Sequence, residues 1–288
     1  MTILHASDVH FGKPHLPELS QALVRFVHRE RPDGVVVSGD LTQRARAEEY
    51  RAARAFLDAL APHRLVVTPG NHDVPLYRVW ERVLAPFRNY RAHIGPALDT
   101  VLDLEGGPAH PGGARIVALN STAPGRAIVN GRIRAGQLDR AEGWFAAAPA
   151  GALRVLVLHH NLIDPSDGSY GQPLRGARRV LRRLPRWRVD LVLCGHVHRT
   201  HLASSRPPAS PRERRGQSGA SPDAAAGVPI LLAGTATSDR GRGSERGKNS
   251  FNLVRAGESG IEVTVYLYSR DAGDFLPAGG RRYSGASP

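Results

Sequence analysis

Carboxylates, imidazoles and one amide recur at short spacings along this chain, each time where a run of apolar residues stops. Leu65 to Val67 gives way at Pro69-Gly70 to Asn71-His72-Asp73. The β-branched run favours an extended backbone, and the Pro-Gly pair ends it in a tight turn that carries three polar side chains at its tip. The design recurs as Asp8-Val9-His10 after Thr2 to Ser7, Gly39-Asp40 after Gly34 to Ser38, His159-His160 after Leu153 to Leu158, and Gly195-His196-Val197-His198 after Val189 to Cys194. Any one of these is an ordinary polar turn. Taken together, they supply carboxylate, imidazole and amide ligands suited to two transition-metal ions. Side chains alternate along an extended strand, so Asp8 and His10 are expected on one side, within reach of one metal.

The intervening segments read as the elements that position these tips. Residues 17 to 31 place Leu19, Leu23, Phe26 and Val27 at helical spacing, and residues 46 to 61 do the same with Tyr50, Ala53, Phe56, Leu57 and Leu60. Strand, helix, strand alternation implies right-handed crossovers and a largely parallel sheet, with functional residues at the carboxyl ends of its strands. Residues 75 to 94 read as one helix whose aromatic face (Tyr77, Trp80, Phe87, Tyr90) packs in the core. Val101 to Leu104 and Arg115 to Leu119 start a second sheet, Gln137 to Ala147 is a helix, and residues 175 to 188 form an amphipathic helix with a solvated arginine face. Strand patterns resume at Val228 to Leu232, Ser250 to Val254 and Ile261 to Tyr268. Ala203 to Gly227 has no large apolar residue and reads as a disordered insertion. The expected organisation is one domain over residues 1–270, interrupted at about 203–227, with a flexible tail over 271–288.

Composition narrows the class further. With 288 residues and 41% hydrophobic content the chain can bury a large core, and no run approaches the ~18 apolar residues of a membrane span. Thr2 to Ser7 reads as a strand rather than a leader, so a cytoplasmic location is expected. The single cysteine, Cys194, lies in an apolar run and reads as a core thiol. The net charge of +13 raises nucleic acid as a partner, but residues 175–188, 206–215 and 240–248 carry the whole excess as +7, +3 and +3. Lysine occurs only at Lys13 and Lys248, an arginine-for-lysine bias that a GC-rich coding sequence produces without selection for binding. Nucleic acid is therefore not the favoured partner.

The set and order of the five tips resemble the calcineurin-like metallophosphoesterase superfamily, and Gly39-Asp40-Leu41-Thr42 with Glu48-Glu49-Tyr50 resembles its class III cyclic-nucleotide phosphodiesterase branch. The resemblance runs from about residue 2 to 268. It implies a four-layer α/β/β/α sandwich with two mixed, largely parallel sheets and a dinuclear metal site at the strand carboxyl ends. It also implies Asp8, His10 and His198 on one metal, Asn71, His159 and His196 on the other, and Asp40 bridging. His72 then matches the family's catalytic histidine near the leaving oxygen, with Asp73 orienting it; His159 rather than His160 matches the ligand. The cofactors implied are two transition-metal ions (Mn, Fe or Zn), and the reaction is hydrolysis of a cyclic nucleotide or similar small phosphodiester by a metal-held hydroxide. The branch often has prolines where this chain has Asn161-Leu162. A Mre11-like DNA nuclease is the alternative, weakened because the motifs and closing strands run to about residue 268 and leave no room for a DNA-capping domain. A metal-free binding scaffold would not need a ligand at every position. The sequence leaves metal identity, physiological substrate and oligomeric state open.

Overall fold

The computed structural model describes residues 1–108, 110–125, 130–165, 171–205 and 227–284. The first sheet forms around β1 (Thr2–Ala6), which lies parallel to β2 (Gly34–Val37), itself parallel to β3 (Arg64–Val67). The helices between them, α1 (Pro17–Glu30) and α2 (Ala47–Ala59), cover one face and bury Leu23, Phe26, Tyr50 and Leu57 with Leu4 and Val35. Each such fully buried large side chain contributes roughly 1.5–3 kcal/mol relative to exposure. On the other side of β1 the sheet turns antiparallel, with β10 (Ser250–Gly257), β11 (Gly260–Ser269) and β12 (Asp274–Tyr283) in the order β12-β11-β10-β1-β2-β3.

The second sheet also has six strands. Its centre is parallel: β5 (Ala114–Ala118), β6 (Leu153–Val157), β7 (Leu191–Cys194) and β9 (Pro229–Leu232). The edges are antiparallel, β4 (Thr100–Leu104) on one side and β8 (His201–Ser204) on the other. Helices α5 (Ala135–Ala146) and α6 (Ala177–Arg183) cover its outer face through Leu138, Phe145, Val180 and Leu184. Between the sheets, Ile3, Val36 and Val66 meet Ile116, Val155, Val157, Leu193 and Leu231. Three apolar layers therefore separate four structural ones, the expected α/β/β/α sandwich of two mixed sheets. Cys194 is buried within the second outer layer, as its apolar context required.

Several local expectations are corrected. Residues 75 to 94 are not one helix but two short ones, α3 (Val79–Leu84) and α4 (Arg88–His93), interrupted around Pro86. Tyr90 is core, whereas Tyr77 and Trp80 are 70% and 79% exposed, because α3 packs no face against the sheet. The supposed tail over 271–288 contains β12, where Phe275 and Tyr283 are buried and Asp274 pairs with Arg29 at 2.7 Å. Its Pro277-Ala278-Gly279-Gly280 run looks like a loop, but an edge strand tolerates proline, and the β11 register shifts between Val265 and Tyr266 opposite it. Ala203 and Ser204, assigned to the insertion, belong to β8; most of that segment, 206–226, lies outside the described residues.

Candidate metal centre

Five strands, β1, β2, β3, β6 and β7, deliver their carboxyl ends to one place, as parallel strands in facing sheets must. Asp8 and His10 do meet, with His10 Nε2 3.6 Å from Asp8 Oδ1, but not because the strand continues. β1 stops at Ala6, and Asp8 and His10 both sit in left-handed backbone at φ 54° and 49°. Asp40, His196 and His198 share that conformation, at φ 51°, 75° and 56°. Non-glycine residues rarely adopt it, and such strain persists where surroundings over-determine it. Here the surroundings are explicit. The Asp8, His10 and Phe11 N–H groups donate to the carbonyls of Gly39, Asp40 and Leu41, knitting the first tip onto the second.

One cluster holds Asp8, His10, Asp40 and His198, whose ligand atoms all lie within 4.8 Å of one another. His198 Nε2 lies 3.1 Å from Asp8 Oδ1 and 3.3 Å from His10 Nε2. A second cluster surrounds the Asn71 amide oxygen, 3.1 Å from His159 Nε2 and 2.9 Å from His196 Nδ1. Asp40 spans the two: Oδ2 is 3.6 Å from His10 Nε2 and Oδ1 is 3.5 Å from His159 Nε2. His160 faces away. Its Nδ1 meets Ser121 Oγ at 2.8 Å, so His159 is the member of that pair aimed into the site.

The residues fit metal ions on the chemistry of their donors. His159 Nδ1 is 2.8 Å from the Ser38 carbonyl and His198 Nδ1 is 3.0 Å from the Arg240 carbonyl, and a carbonyl only accepts. Each Nδ1 therefore carries a proton, and each ring turns inward its Nε2, the atom whose lone pair can bind a cation; burial lowers the His159 pKa, but the Asp40 and Asp8 carboxylates outweigh it and raise it, so a cation there competes with a proton. Those lone pairs face Asn71 Oδ1 and Asp8 Oδ1, which are also electron-rich. Asp8 Oδ1 and Asp40 Oδ2 are buried without a hydrogen-bond donor. Lone pairs converging on buried carboxylates call for cations between them. Burial lowers the pKa of His10 and His196 to about 3, keeping both neutral. Burial pushes Asp40 upward, but His159, His72 and His10 outweigh it and hold the carboxyl at about 2, so it is ionised.

His72 lies beside the first cluster, its ring 4.9 Å from that of His10. The expectation that Asp73 orients it is not met. The Asp73 carboxylate accepts from the N–H groups of Leu41, Thr42 and Gly70 and from Thr42 Oγ1, and so fastens the third tip to the second. The His72 ring is held by the Gln43 carbonyl at 2.9 Å from Nδ1 and by Arg240 Nη1 at 3.2 Å from Nε2. Tyr50, in the stretch that resembles the phosphodiesterase branch, donates from its hydroxyl to the Asp73 carbonyl at 2.7 Å. Glu49 of the same stretch accepts from the N–H groups of Arg44 and Arg46. Glu49 thus braces the loop that carries Gln43, and Tyr50 braces the third tip. Asn161, at the departure from the branch, donates to the Ile163 and Gly171 carbonyls and closes the base of the following loop.

Sequence reading missed Gln43, Arg240 and the polar residues after β9. Thr235 and Thr237 donate to the Asp8 and Val9 carbonyls at 2.7 and 2.9 Å, buttressing the first tip. The signal was available, since Ile230 to Leu232 is one more apolar run ending in glycine and hydroxyl residues. The arginine-rich helix offers less to nucleic acid than its count suggests, because Arg183 pairs with Asp139 and Glu142 and Arg186 with Glu142 on α5. His201 opens the edge strand β8 and is half-buried.

The chain matches the calcineurin-like phosphoesterase family over residues 1–200 and belongs to it. Among curated proteins it is 30% identical over 217 residues to a cAMP/cGMP dual specificity phosphodiesterase of Mycobacterium tuberculosis, covering 68% of this chain and 61% of that protein. It is 28% identical over 226 residues to a glycerophosphodiester phosphodiesterase of Enterobacter lignolyticus, covering 72% of this chain and 74% of the other. The chain thus spans about three fifths of the mycobacterial relative's length. A dimetal phosphatase from Danio rerio shares the fold at TM-score 0.62 and 13% identity, covering 99% of both chains. Among the described residues no helix is long and apolar enough to cross a membrane.

Proposed function

We propose that this chain is a metal-dependent hydrolase of small phosphodiesters, a cyclic nucleotide or a compound like it. The observation that carries the reading is the pair of imidazoles, His159 and His196, converging on Asn71 Oδ1 beside a second cluster of Asp8, His10 and His198, with Asp40 facing both. Family membership and two relatives named as phosphodiesterases support it. Asp8, His10 and His198 would hold one ion, Asn71, His159 and His196 the other, and Asp40 both; manganese, iron and zinc suit this oxygen and nitrogen set. Ions so held would polarise the phosphoryl group and make water nucleophilic near neutral pH.

The protein's own contribution is positioning. His159 and His198 are each fixed by a hydrogen bond on the far side of the ring, the histidines around Asp8 and Asp40 hold those carboxyls ionised against the opposing effect of burial, and the tips are cross-tied through main-chain N–H groups. His72 lies beside His10 with Nε2 against Arg240, and once protonated at Nε2 it would serve the departing oxygen by proton transfer or by stabilising its charge. The test compares an alkyl or nucleoside diester with a nitrophenyl diester, whose phenolate leaves unaided. His72→Ala should cost on the order of 10² to 10⁴ in rate on the first and less on the second. Equal losses with metal retained would assign His72 to binding, and a wild-type preference for monoesters would overturn the substrate class.

A further inference from the structure

Arg240 stands outside every ligand position, yet it touches both a ligand of the first cluster and the histidine beside it. Its carbonyl accepts from His198 Nδ1 at 3.0 Å, while its Nη1 donates to Gln43 Oε1 at 2.8 Å and lies 3.2 Å from His72 Nε2. A guanidinium has only donors, so His72 Nε2 must accept from it. His72 Nδ1 faces the Gln43 carbonyl, which can only accept, so the ring's proton is there. In this arrangement His72 is the neutral Nδ1–H tautomer, and the lone pair that would face a substrate is covered by a cation.

We propose that Arg240 is the clamp for the substrate's phosphoryl group. When a phosphodiester enters, the guanidinium leaves His72 Nε2 for a non-bridging phosphoryl oxygen, and the same movement frees the Nε2 lone pair to take up a solvent proton, which His72 then gives to the leaving-group oxygen. The inference rests on the phosphodiesterase reading of the site. Position favours it: the His72 ring lies 4.9 Å from that of His10, so a group touching His72 Nε2 stands beside the first ligand cluster. Chemistry favours it as well. Both side-chain partners of Arg240, an amide and a neutral imidazole, are uncharged, whereas Arg29, Arg115 and Arg140 elsewhere on the surface pair with aspartates. A hydrogen bond to an anionic phosphoryl oxygen is roughly twice as strong as one to a neutral acceptor, so exchange of His72 for phosphate is downhill. Gln43 Oε1 can hold the guanidinium during the exchange.

The experiment uses the full metal-loaded chain, wild type against Arg240→Ala and Arg240→Lys, with bis(p-nitrophenyl) phosphate as substrate and inorganic phosphate as a binding probe. In Arg240→Ala, kcat/KM should fall by about 10² to 10³, as when one preorganised donor to a developing oxyanion is removed. Phosphate should bind at least tenfold more weakly by calorimetry, metal content should be unchanged, and added guanidinium should restore part of the rate. Arg240→Lys keeps the charge but not the fork and should fall between. Ring nitrogen NMR of the metal-free wild type should show His72 protonated on Nδ1, whatever the variants do. Unchanged kcat/KM and phosphate affinity in Arg240→Ala would overturn the clamp, as would a His72 proton on Nε2. A wild type without diesterase activity would overturn the substrate reading instead, with phosphate binding still deciding the role of Arg240.

Discussion

The main-chain N–H of His72 donates to Oδ1 of Asp40 at 2.8 Å, which ties the residue proposed to serve the leaving group to the carboxylate between the two ligand clusters. A change at either end is therefore felt at the other.

Asp40→Ala should abolish activity and lose more metal than Asn71→Ala, because Asp40 faces both clusters and Asn71 only one. Elemental analysis of the purified variants checks this, and full occupancy in Asp40→Ala would remove the bridging role. Chelation should lower the melting temperature of the wild type, since an ion at 100 times its Kd stabilises the native state by about 2.7 kcal/mol. Asp40→Ala should show little of that shift.

Asp73→Ala should behave as a stability variant and His72→Ala as a chemical one. Removing the Asp73 carboxylate leaves the N–H groups of Leu41, Thr42 and Gly70 without their acceptor, at a cost of roughly 1–3 kcal/mol for each buried donor left unpaired. Denaturant melts should show a large fall for Asp73→Ala and little change for His72→Ala. The opposite order would return Asp73 to the catalytic group.

Gly39→Ala should damage the site without touching a ligand. Gly39 has φ +95°, and a Cβ there would lie 2.6 Å from His159 Nδ1, the atom that donates to Ser38. The strained backbone alone costs on the order of 1–3 kcal/mol. Thermal melting and metal content should both drop, and an unperturbed variant would mean that the turn can rebuild around a side chain.

Replacing residues 206–226 by a short Gly-Ser link should leave melting temperature and turnover nearly unchanged. β8 and β9 are antiparallel, and Ser205 N–H donates to the Val228 carbonyl while Val228 N–H donates to Ser205 Oγ, so the ends to be joined are already neighbours. Loop-closure entropy changes only slowly with length, which makes the shortening inexpensive. A large loss of activity would show that the segment acts on the site.

The alternating apolar runs and helical spacings were legible in the sequence because each reports local periodicity: β1, α1, β2, α2, β3, β6 and β7 fall close to where those patterns put them. β12 was not legible, since Pro277 and its glycines look like a loop until an edge position makes them acceptable. α3 was not either, because nothing local tells a helix with a buried aromatic face from one that leaves Trp80 exposed.

For the site, residue type and order alone determined the candidate ligands, Asp8, His10, Asp40, Asn71, His159, His196 and His198, because ligand chemistry belongs to the side chain and the family pattern to the sequence. Tertiary structure decided how they meet. Asp8 and His10 converge through left-handed backbone held by the carbonyls of residues 39–41, not through strand alternation. Asp73 turned from orienting group to fastening, and Gln43 and Arg240 took its place at His72, 29 and 168 residues away in sequence. Which side of an imidazole carries its proton depends on what lies beyond the ring, and that neighbour is supplied by a different strand or loop that no local pattern identifies.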